Sequence, residues 1–199
     1  LNCMEHRGGC GGDSDSGDGA GILCSIPWKY LEEEMNLINK QDFDRGLGMI
    51  FMPNKKEKIE ECKSICEEEA EKLRINKFFW RTVPVNNEIL GPLAKANAPF
   101  ISQWILYIDK KDNQDIEKLL FQLRKRIEKK IRETFKSNVG DCEFYFASLS
   151  SQTVVYKGMV RSEILSEFYQ DLKKESFKVS FSVYHRRFST NTLPKWPLA

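Results

Sequence analysis

The mixed order of strand-like and helix-like segments predicts an α+β fold. Short runs rich in β-branched and aromatic residues, such as "FISQWILYI" (100–108), indicate strands. Apolar residues that recur every three or four positions indicate amphipathic helices at 55–74 and 113–135. Because several strands follow one another without an intervening helix, this order favours α+β over a doubly wound parallel sheet.

The first half of the chain opens with a glycine-rich acidic loop, "GGCGGDSDSGDGAG" (8–21), in which several positions are expected to need positive φ or close backbone contact. Strands are bounded by prolines and helices by their apolar stripes. The elements predicted after the loop are a strand "ILCSIP" (22–27), a helix at 28–40, a strand "GLGMIFMP" (46–53), a helix at 55–74, a strand-like stretch "KFFWRTVPV" (77–85) and a loop at 86–99.

The second half begins with the strong strand at 100–108 and the long helix at 113–135. The apolar face of this helix is formed by Ile116, Leu119, Leu120, Leu123, Ile127 and Ile131. Two strands, "CEFYFASLS" (142–150) and "TVVYKG" (153–158), are predicted to pair as a hairpin through "SQ". A helix at 162–174 and a final strand at 177–188 complete the prediction.

The charge balance argues against a nucleic-acid partner. The chain has 31 basic and 29 acidic residues and a net charge of +2. Nucleic-acid binding depends on a positive excess that neutralises phosphates, and none is present here. No apolar run approaches the roughly 20 residues that span a bilayer. We therefore expect neither a nucleic-acid nor a membrane partner.

The cysteines and histidines do not indicate a metal site. The sequence has six cysteines and two histidines, and no cysteines stand in a CxxC pair. Cys62 and Cys66 lie one helical turn apart in a charged helix. This usage is typical of a reduced protein, so we expect a cytoplasmic location, with a plastid as the alternative.

The acidic loop admits three interpretations. A calcium loop starting at Asp13 would need a glutamate at its twelfth position, where Cys24 stands. A phosphate cradle would need the lysine and hydroxyl residue of a P-loop, which are absent. A tight structural loop needs neither, and we favour it.

The segment "YHRRFSTNT" (184–192) is the best candidate for a binding site. Arg187 stands at a predicted strand end, with hydroxyl residues Ser189, Thr190 and Thr192 close behind it. A guanidinium binds a carboxylate through two parallel hydrogen bonds. The pattern fits a small ligand with a carboxylate, such as an amino acid, and it fits a surface arginine in a turn equally well.

Two long motifs resemble segments of the glutamate synthase large chain family. They are "HRRFSTNTLPKWPLA" (185–199) and "MEHRGGCGGDSDSGDGAGIL" (4–23), and shorter matches follow the family's order between them. The resemblance implies the class II glutamine amidotransferase domain at the amino end of that chain. It implies the four-layer αββα sandwich of the N-terminal-nucleophile hydrolases. It also implies that the domain hydrolyses glutamine to glutamate and ammonia. The ammonia then passes to later domains and is added to 2-oxoglutarate.

The resemblance also implies roles for individual residues. Arg187 corresponds to the arginine that binds the α-carboxylate of glutamine, and Phe188 and Thr190 line the same pocket. Arg7 and Gly8 correspond to supporting residues near the nucleophile, and His185 is expected to support the strand. Arg186 occupies a variable position and receives no role.

The family's nucleophile is an N-terminal cysteine whose free α-amine accepts and returns the proton. That cysteine falls before Leu1, and the segment that supplies the oxyanion donors falls beyond Ala199. We therefore expect residues 1–199 to be a partial domain, incomplete at both ends and with no catalytic residue of its own. The 199-residue polypeptide is expected to have no glutaminase activity.

The expected partners follow from the same family. They are glutamine, the downstream synthase domains and an electron donor. The donor is either ferredoxin or a pyridine nucleotide, and a pyridine nucleotide would be oxidised by a small NAD(P)H-oxidising subunit or by a fused domain. No cofactor or metal is expected in this segment, whereas FMN and an iron–sulfur cluster belong to later domains. Two alternatives remain: another class II amidotransferase, or a binding module that kept the sandwich and lost the nucleophile.

Overall fold

The structure is a computed structural model that describes residues 19–37, 42–110, 115–136, 143–186 and 195–196. The strands within these ranges are β1 (Ala20–Ser25), β2 (Phe43–Met52), β3 (Lys77–Thr82), β4 (Phe100–Asp109), β5 (Tyr145–Ser150), β6 (Thr153–Gly158) and β7 (Ser182–His185). The α-helices are α1 (Trp28–Met35), α2 (Lys56–Lys72), α3 (Pro92–Ala96), α4 (Ile116–Phe135) and α5 (Leu165–Phe168). Short 3₁₀ turns cover Asn87–Ile89, Ser162–Ile164 and Gln170–Lys173.

The chain divides into two compact units, each with its own sheet. The first unit comprises 1–30, 83–98 and 155–199, and the second comprises 31–82 and 99–154. In the described residues, one sheet has the order β6-β1-β7 and the other has the order β3-β4-β2-β5. The pairings β1–β7, β2–β4, β2–β5 and β3–β4 are antiparallel. The predicted α+β class is therefore confirmed.

The core of the second unit lies between its sheet and the helices α2 and α4. Trp104 and Leu106 of β4 are buried in one cluster with Cys66 of α2 and with Leu123 and Ile127 of α4. The apolar stripes predicted for both helices face this cluster, which is why periodicity predicted the helices correctly. Residues on the opposite face of the sheet are buried too, among them Leu47, Met49 and Ile105.

Helix α2 ends in two hydrogen bonds of the Schellman type. The Ile75 N–H donates to the Ala70 carbonyl (2.9 Å), and the Arg74 N–H donates to the Glu71 carbonyl (2.8 Å). Arg74 has φ 62, in the left-handed region where glycine is usual. Because the sequence has no glycine at this point, the predicted helix runs to residue 74 and the observed one ends at Lys72.

Two predictions in the first half of the chain need correction. The helix predicted at 28–40 ends at Met35, because Asn36 adopts φ 50 and the Leu37 N–H bonds back to the Glu32 carbonyl (3.0 Å). The loop predicted at 86–99 contains helix α3, which starts at Pro92. Proline suits the first helical position because its missing N–H would have no partner in the helix there.

The predicted hairpin between the strands at 142–150 and 153–158 is wrong. Strand β5 pairs with β2, whereas β6 belongs to the other sheet and lies next to β1. The connection is tight, because the Glu117 carboxylate accepts hydrogen bonds from the Ser151 N–H (2.6 Å) and from the hydroxyls of Ser151 (2.7 Å) and Ser150 (3.0 Å). The sequence therefore predicted the turn at 151–152 correctly. The strands on either side of that turn enter different sheets and do not pair with each other.

The helix predicted at 162–174 is interrupted at Tyr169. This residue forms a bridge with Val85, and its buried hydroxyl donates to the Lys157 carbonyl (2.7 Å). The final strand predicted at 177–188 begins later in the described residues, where β7 covers Ser182–His185, and residues 187–188 lie outside the described ranges. Before β7, the Ser180 N–H donates to the side-chain hydroxyl of Ser25 (2.8 Å) and not to a backbone carbonyl of β1.

Candidate functional site

The candidate site is built at the end of β7, where the sequence places its arginine pair. His185 is the last residue of β7 and lies opposite Gly21 of β1. A Cβ atom at Gly21 would lie 2.4 Å from Cε1 of His185 and 2.8 Å from Cβ of Lys157. The imidazole therefore occupies the space that any side chain at position 21 would need. This close contact, with φ 124 at Gly19, agrees with the tight loop end expected from the sequence.

The surroundings of His185 favour its neutral form. Partial desolvation of the ring lowers the pKa of His185, although the residue as a whole is exposed, and the charge of Lys157 lowers it further. A neutral imidazole at physiological pH can pack in this position without a counter-charge. The supporting role expected for His185 stays a prediction.

Arg186 is held by an ion pair. Its Nη2 donates to the Oε1 atom of Glu163, in the 3₁₀ turn Ser162–Ile164. The side chain of Arg186 is 8% exposed and that of Glu163 is 32% exposed. The pair thus connects the residue that follows β7 to the turn that precedes helix α5.

Glu163 stays ionised in this pair. Burial by itself would raise the pKa of its carboxyl group. The group nevertheless has a lowered pKa, because its own backbone N–H and the Ser162 hydroxyl bond to it and because Arg186 and Arg161 are positively charged. The carboxylate is therefore a constant partner for Arg186 at neutral pH.

Trp196 anchors the chain on the far side of the "FSTNT" segment. Its indole N–H donates to the Ala94 carbonyl (3.0 Å), and its ring packs 5.7 Å from that of Phe168. A Cβ atom at Gly158 would lie 2.8 Å from the indole Cζ3 atom. The tryptophan therefore needs a glycine at position 158, and it is almost fully buried.

A buried polar cluster supports the first unit near β6. The carboxylate of Asp171, which has no exposed surface, accepts hydrogen bonds from the hydroxyls of Tyr30 (2.7 Å) and Tyr156 (3.0 Å). Tyr156 belongs to β6, one residue before Lys157. Buried polar groups need such partners, and here they fix the strand that carries Lys157.

Some of the site residues assigned from the sequence lie within the ranges that the structure describes, and others lie outside them. The structure describes His185, and it describes Arg186, to which the sequence assigned no role. Five candidates lie outside the described residues: Arg187, Phe188, Thr190, Arg7 and Gly8. Sequence reasoning also missed Glu163 and Trp196. The tryptophan of the motif at 185–199 was a signal for an anchor, whereas nothing near Glu163 pointed to its partner.

The described residues do not form a metal site. No group of three or more His, Cys, Asp or Glu side chains converges among them. Within the same part of the chain, Cys24, Cys62 and Cys66 are buried and form no disulfide. Burial raises the pKa of Cys24 to about 11 and raises that of Cys66 well above its usual value. The thiols of Cys24 and Cys66 are therefore poor nucleophiles and poor ligands at neutral pH.

A search of the helices in the described ranges found none with the length and hydropathy that crossing a membrane requires.

Comparison with known proteins gives one family across the whole chain. The family model described as "Glutamine amidotransferases class-II" matches residues 1–199. Curated relatives are similar over the full chain. The chain is 47% identical to "Ferredoxin-dependent glutamate synthase, chloroplastic" of Oryza sativa subsp. japonica and 46% identical to "Ferredoxin-dependent glutamate synthase 1, chloroplastic/mitochondrial" of Arabidopsis thaliana.

A third relative, "Ferredoxin-dependent glutamate synthase 2" of Synechocystis sp., is 45% identical over the same range. In each of these comparisons the match covers 100% of this chain and 12% of the relative. The chain thus spans about an eighth of the length of these relatives.

Proposed function

The chain belongs to the class II glutamine amidotransferases, and on that premise we propose that it forms the glutaminase part of a glutamate synthase. The observation that carries this proposal is the family match over residues 1–199, together with relatives whose names are those of glutamate synthases. The proposed reaction is hydrolysis of the side-chain amide of glutamine to glutamate and ammonia. The ammonia then passes to the downstream domains and is added to 2-oxoglutarate.

We propose that Arg187 binds the α-carboxylate of glutamine, with Phe188 and Thr190 in the same pocket. The chemistry supports this, because a guanidinium offers two parallel donors to a carboxylate and fixes its orientation. Holding the substrate in one orientation lowers the entropic part of the barrier to attack on the amide. We propose supporting roles for Arg7, Gly8 and His185.

The residues that precede and follow 187–194 in the sequence are held by specific contacts, and these contacts support the role proposed for Arg187. On one side, Arg186 is paired with Glu163 and His185 packs on Gly21. On the other side, Trp196 packs on Gly158. A substrate arginine needs a rigid scaffold, because an error of about 1 Å in position can cost a hundredfold in rate.

The finer fold proposal is the four-layer αββα sandwich of the N-terminal-nucleophile hydrolases. Burial of residues on both faces of the four-stranded sheet supports it, since a sheet that is open to water on one face would alternate buried and exposed residues. Strand β4 shows no such alternation from Ile101 to Ile108.

We propose ferredoxin as the electron donor of the full-length enzyme, because the relatives are ferredoxin-dependent by name. Their names give no support to the small NAD(P)H-oxidising subunit that the sequence left as an alternative. We propose that FMN and the iron–sulfur cluster belong to later domains of the full-length protein, as the family resemblance implies. The chloroplastic names of two relatives favour the plastid over the cytoplasm.

Affinity labelling of the full-length enzyme tests the amidotransferase proposal. The enzyme is treated with an electrophile that mimics glutamine, and the adduct is located by mass spectrometry. We expect one label on an N-terminal cysteine, which is lost in Arg187→Ala and retained in Arg74→Ala, a control at an exposed arginine of the second unit. A label that Arg187→Ala leaves unchanged would contradict the substrate-binding role, and the absence of any label would favour a binding module.

A direct assay tests the remaining expectation. We propose that the 199-residue polypeptide alone does not hydrolyse glutamine, because none of its residues is assigned as the nucleophile. Ammonia release from glutamine by this purified polypeptide would overturn that proposal.

A further inference from the structure

We propose that Arg186 and Glu163 form a positioning pair that holds the backbone next to the substrate arginine. This inference rests on the proposed function, in which Arg187 binds the α-carboxylate of glutamine. It assigns a role to a residue that the sequence left without one, and to a glutamate 23 positions away in the chain.

The geometry of the pair supports a positioning role. Among the described residues, pairs such as Lys95–Glu88 and Lys129–Glu133 join two exposed side chains, and such pairs contribute little. The Arg186 side chain is 8% exposed, and its guanidinium is hydrogen-bonded to Glu163. Placing a buried charge without its partner is costly, so the ion pair strongly favours one position for Arg186.

Arg186 transmits that position along the chain. Consecutive Cα atoms are about 3.8 Å apart across a trans peptide, so the backbone of Arg186 limits where residue 187 can begin. His185, on the other side of Arg186, belongs to the paired strand β7. The pair with Glu163 therefore continues the rigid frame by one residue beyond the last ladder contact.

The pairing also separates the roles of the two arginines. The charge of Arg186 is balanced by Glu163, and the carboxylate remains ionised because Ser162 and Arg161 stabilise it as well. A guanidinium that is already bound to a carboxylate is a poor site for a second one. Of the two adjacent arginines, we therefore assign positioning to Arg186, and the proposed function keeps substrate binding at Arg187.

Steady-state kinetics of the full-length enzyme test the inference. The variants Arg186→Met and Glu163→Gln remove one charge each. Glutamine matches glutamate in length, and methionine keeps the unbranched stem of arginine without its guanidinium. We expect each to lower kcat/KM for glutamine about ten- to a hundredfold, because a displaced Arg187 both binds the α-carboxylate less tightly and orients the amide less well. Arg186→Lys, which keeps the charge, should recover part of the loss.

A ligand without the α-carboxylate distinguishes positioning from general damage. The probe is 4-aminobutanamide, which is glutamine without its carboxylate, measured as a competitive inhibitor of glutamine hydrolysis. Its Ki should be the same in the wild-type enzyme and in both variants, because it makes no contact with Arg187. An equal loss for glutamine and for the probe would indicate a structural defect and would overturn the inference.

The matched control is the exposed ion pair Lys173–Glu167 of the same unit, in which both side chains are 49% exposed. Lys173→Met should leave kcat/KM for glutamine unchanged. If single variants fail to fold, the charge-exchanged double variant Arg186→Glu with Glu163→Arg provides the second test, and it should have a higher kcat/KM than Arg186→Glu alone.

The outcomes separate the two proposals. A wild-type enzyme that does not hydrolyse glutamine, or an Arg187→Ala variant with an unchanged kcat/KM, would overturn the proposed function and this inference with it. An enzyme that needs Arg187 but tolerates Arg186→Met and Glu163→Gln would overturn the positioning role alone.

Discussion

At the scale of single residues, the contact between Gly21 and His185 has the least free space in the candidate site. The missing side chain at position 21 lets the imidazole pack directly on the backbone of β1 and against Lys157. Any Cβ atom there must displace the ring or the strand, and both are tied into the ladder between β1 and β7.

We predict that Gly21→Ala lowers the free energy of unfolding by roughly 1–3 kcal/mol, the usual range for overpacking at a tight site. The measurement is the urea midpoint and slope. Gly48→Ala in β2 is the matched control, because its Cβ would lie 3.4 Å from Cδ1 of Leu149, at ordinary contact distance. Equal effects of the two substitutions would contradict the steric argument.

At the scale of elements, the ends of the helices carry strain that the sequence did not reveal. Arg74 follows helix α2 in the left-handed region at φ 62, and Lys136 follows helix α4 at φ 49. Residues with a Cβ atom pay a steric penalty of roughly 1–2 kcal/mol there, whereas glycine does not. Glycine is accordingly the usual residue after a helix.

We predict that Arg74→Gly is more stable than Arg74→Ala by about 1 kcal/mol. Both substitutions remove the same exposed side chain, so their difference isolates the backbone term. Thermal or urea unfolding of the two variants provides the measurement. If Arg74→Ala were as stable as Arg74→Gly, the left-handed conformation would not be strained.

Helices α2 and α4 are joined by a buried carboxylate. Glu69 of α2 accepts hydrogen bonds from Nζ of Lys72 (2.6 Å) and from Nε of Arg126 in α4 (2.8 Å). Burial by itself raises the pKa of Glu69, but the hydrogen bonds and charges of these two partners outweigh it and lower the pKa below its ordinary value. The carboxylate therefore stabilises the folded state in its charged form.

We predict that Glu69→Gln lowers the free energy of unfolding at pH 7 by roughly 1.5 kcal/mol, near the low end for hydrogen bonds to a charged group, because both partners are half exposed. The folded-state pKa lies below the unfolded value of about 4.3, so the stabilisation is complete above pH 4.3 or so. It is lost as the pH falls through the folded-state pKa.

Urea unfolding at pH 7 and at acidic pH measures this effect. The difference between the wild-type protein and Glu69→Gln should shrink as the carboxyl group is protonated. Glu60→Gln is the control, since Glu60 is 66% exposed in its pair with Lys63. A difference that does not depend on pH would mean that Glu69 acts through packing and not through its charge.

At the scale of the whole molecule, a central strand of the four-stranded sheet has buried residues on both of its faces. Strand β4 places Leu106 in the cluster under the helices, and Ile105 points to the opposite face. Both residues have no exposed surface. This double burial is what the proposed four-layer sandwich requires.

We predict that Ile105→Ala and Leu106→Ala lower the free energy of unfolding by similar amounts, about 2–5 kcal/mol each. Urea unfolding of the two variants is the measurement, with Phe121→Ala on the exposed side of α4 as the control. A small effect of Ile105→Ala beside a large effect of Leu106→Ala would show that one face of the sheet is open, contrary to the four-layer proposal.

Much of the candidate site follows from local sequence, and part of it does not. The run "YHRRFSTNT" predicts a carboxylate site from an arginine beside hydroxyl residues at a strand end, and this stays a prediction because Arg187 lies outside the described residues. The partner of Arg186 was not predictable, because Glu163 lies in a different turn and no spacing rule connects it to a residue 23 positions later. Long-range ion pairs depend on the path of the chain between their members.

The sequence by itself determined the α+β class and the long regular elements. The apolar residues of α2 and α4 recur with the helical period because each helix buries one face, and β4 is a continuous apolar run because it buries both of its faces. Only the tertiary structure decided that β5 and β6 enter different sheets and that the helix at 162–174 breaks at Tyr169. It also decided that β7 pairs with β1 over Ser182–His185 in the described residues. The physical reason is that strand partners and helix breaks are chosen by distant contacts. Those contacts override local preference wherever a buried group such as the Tyr169 hydroxyl must find its partner.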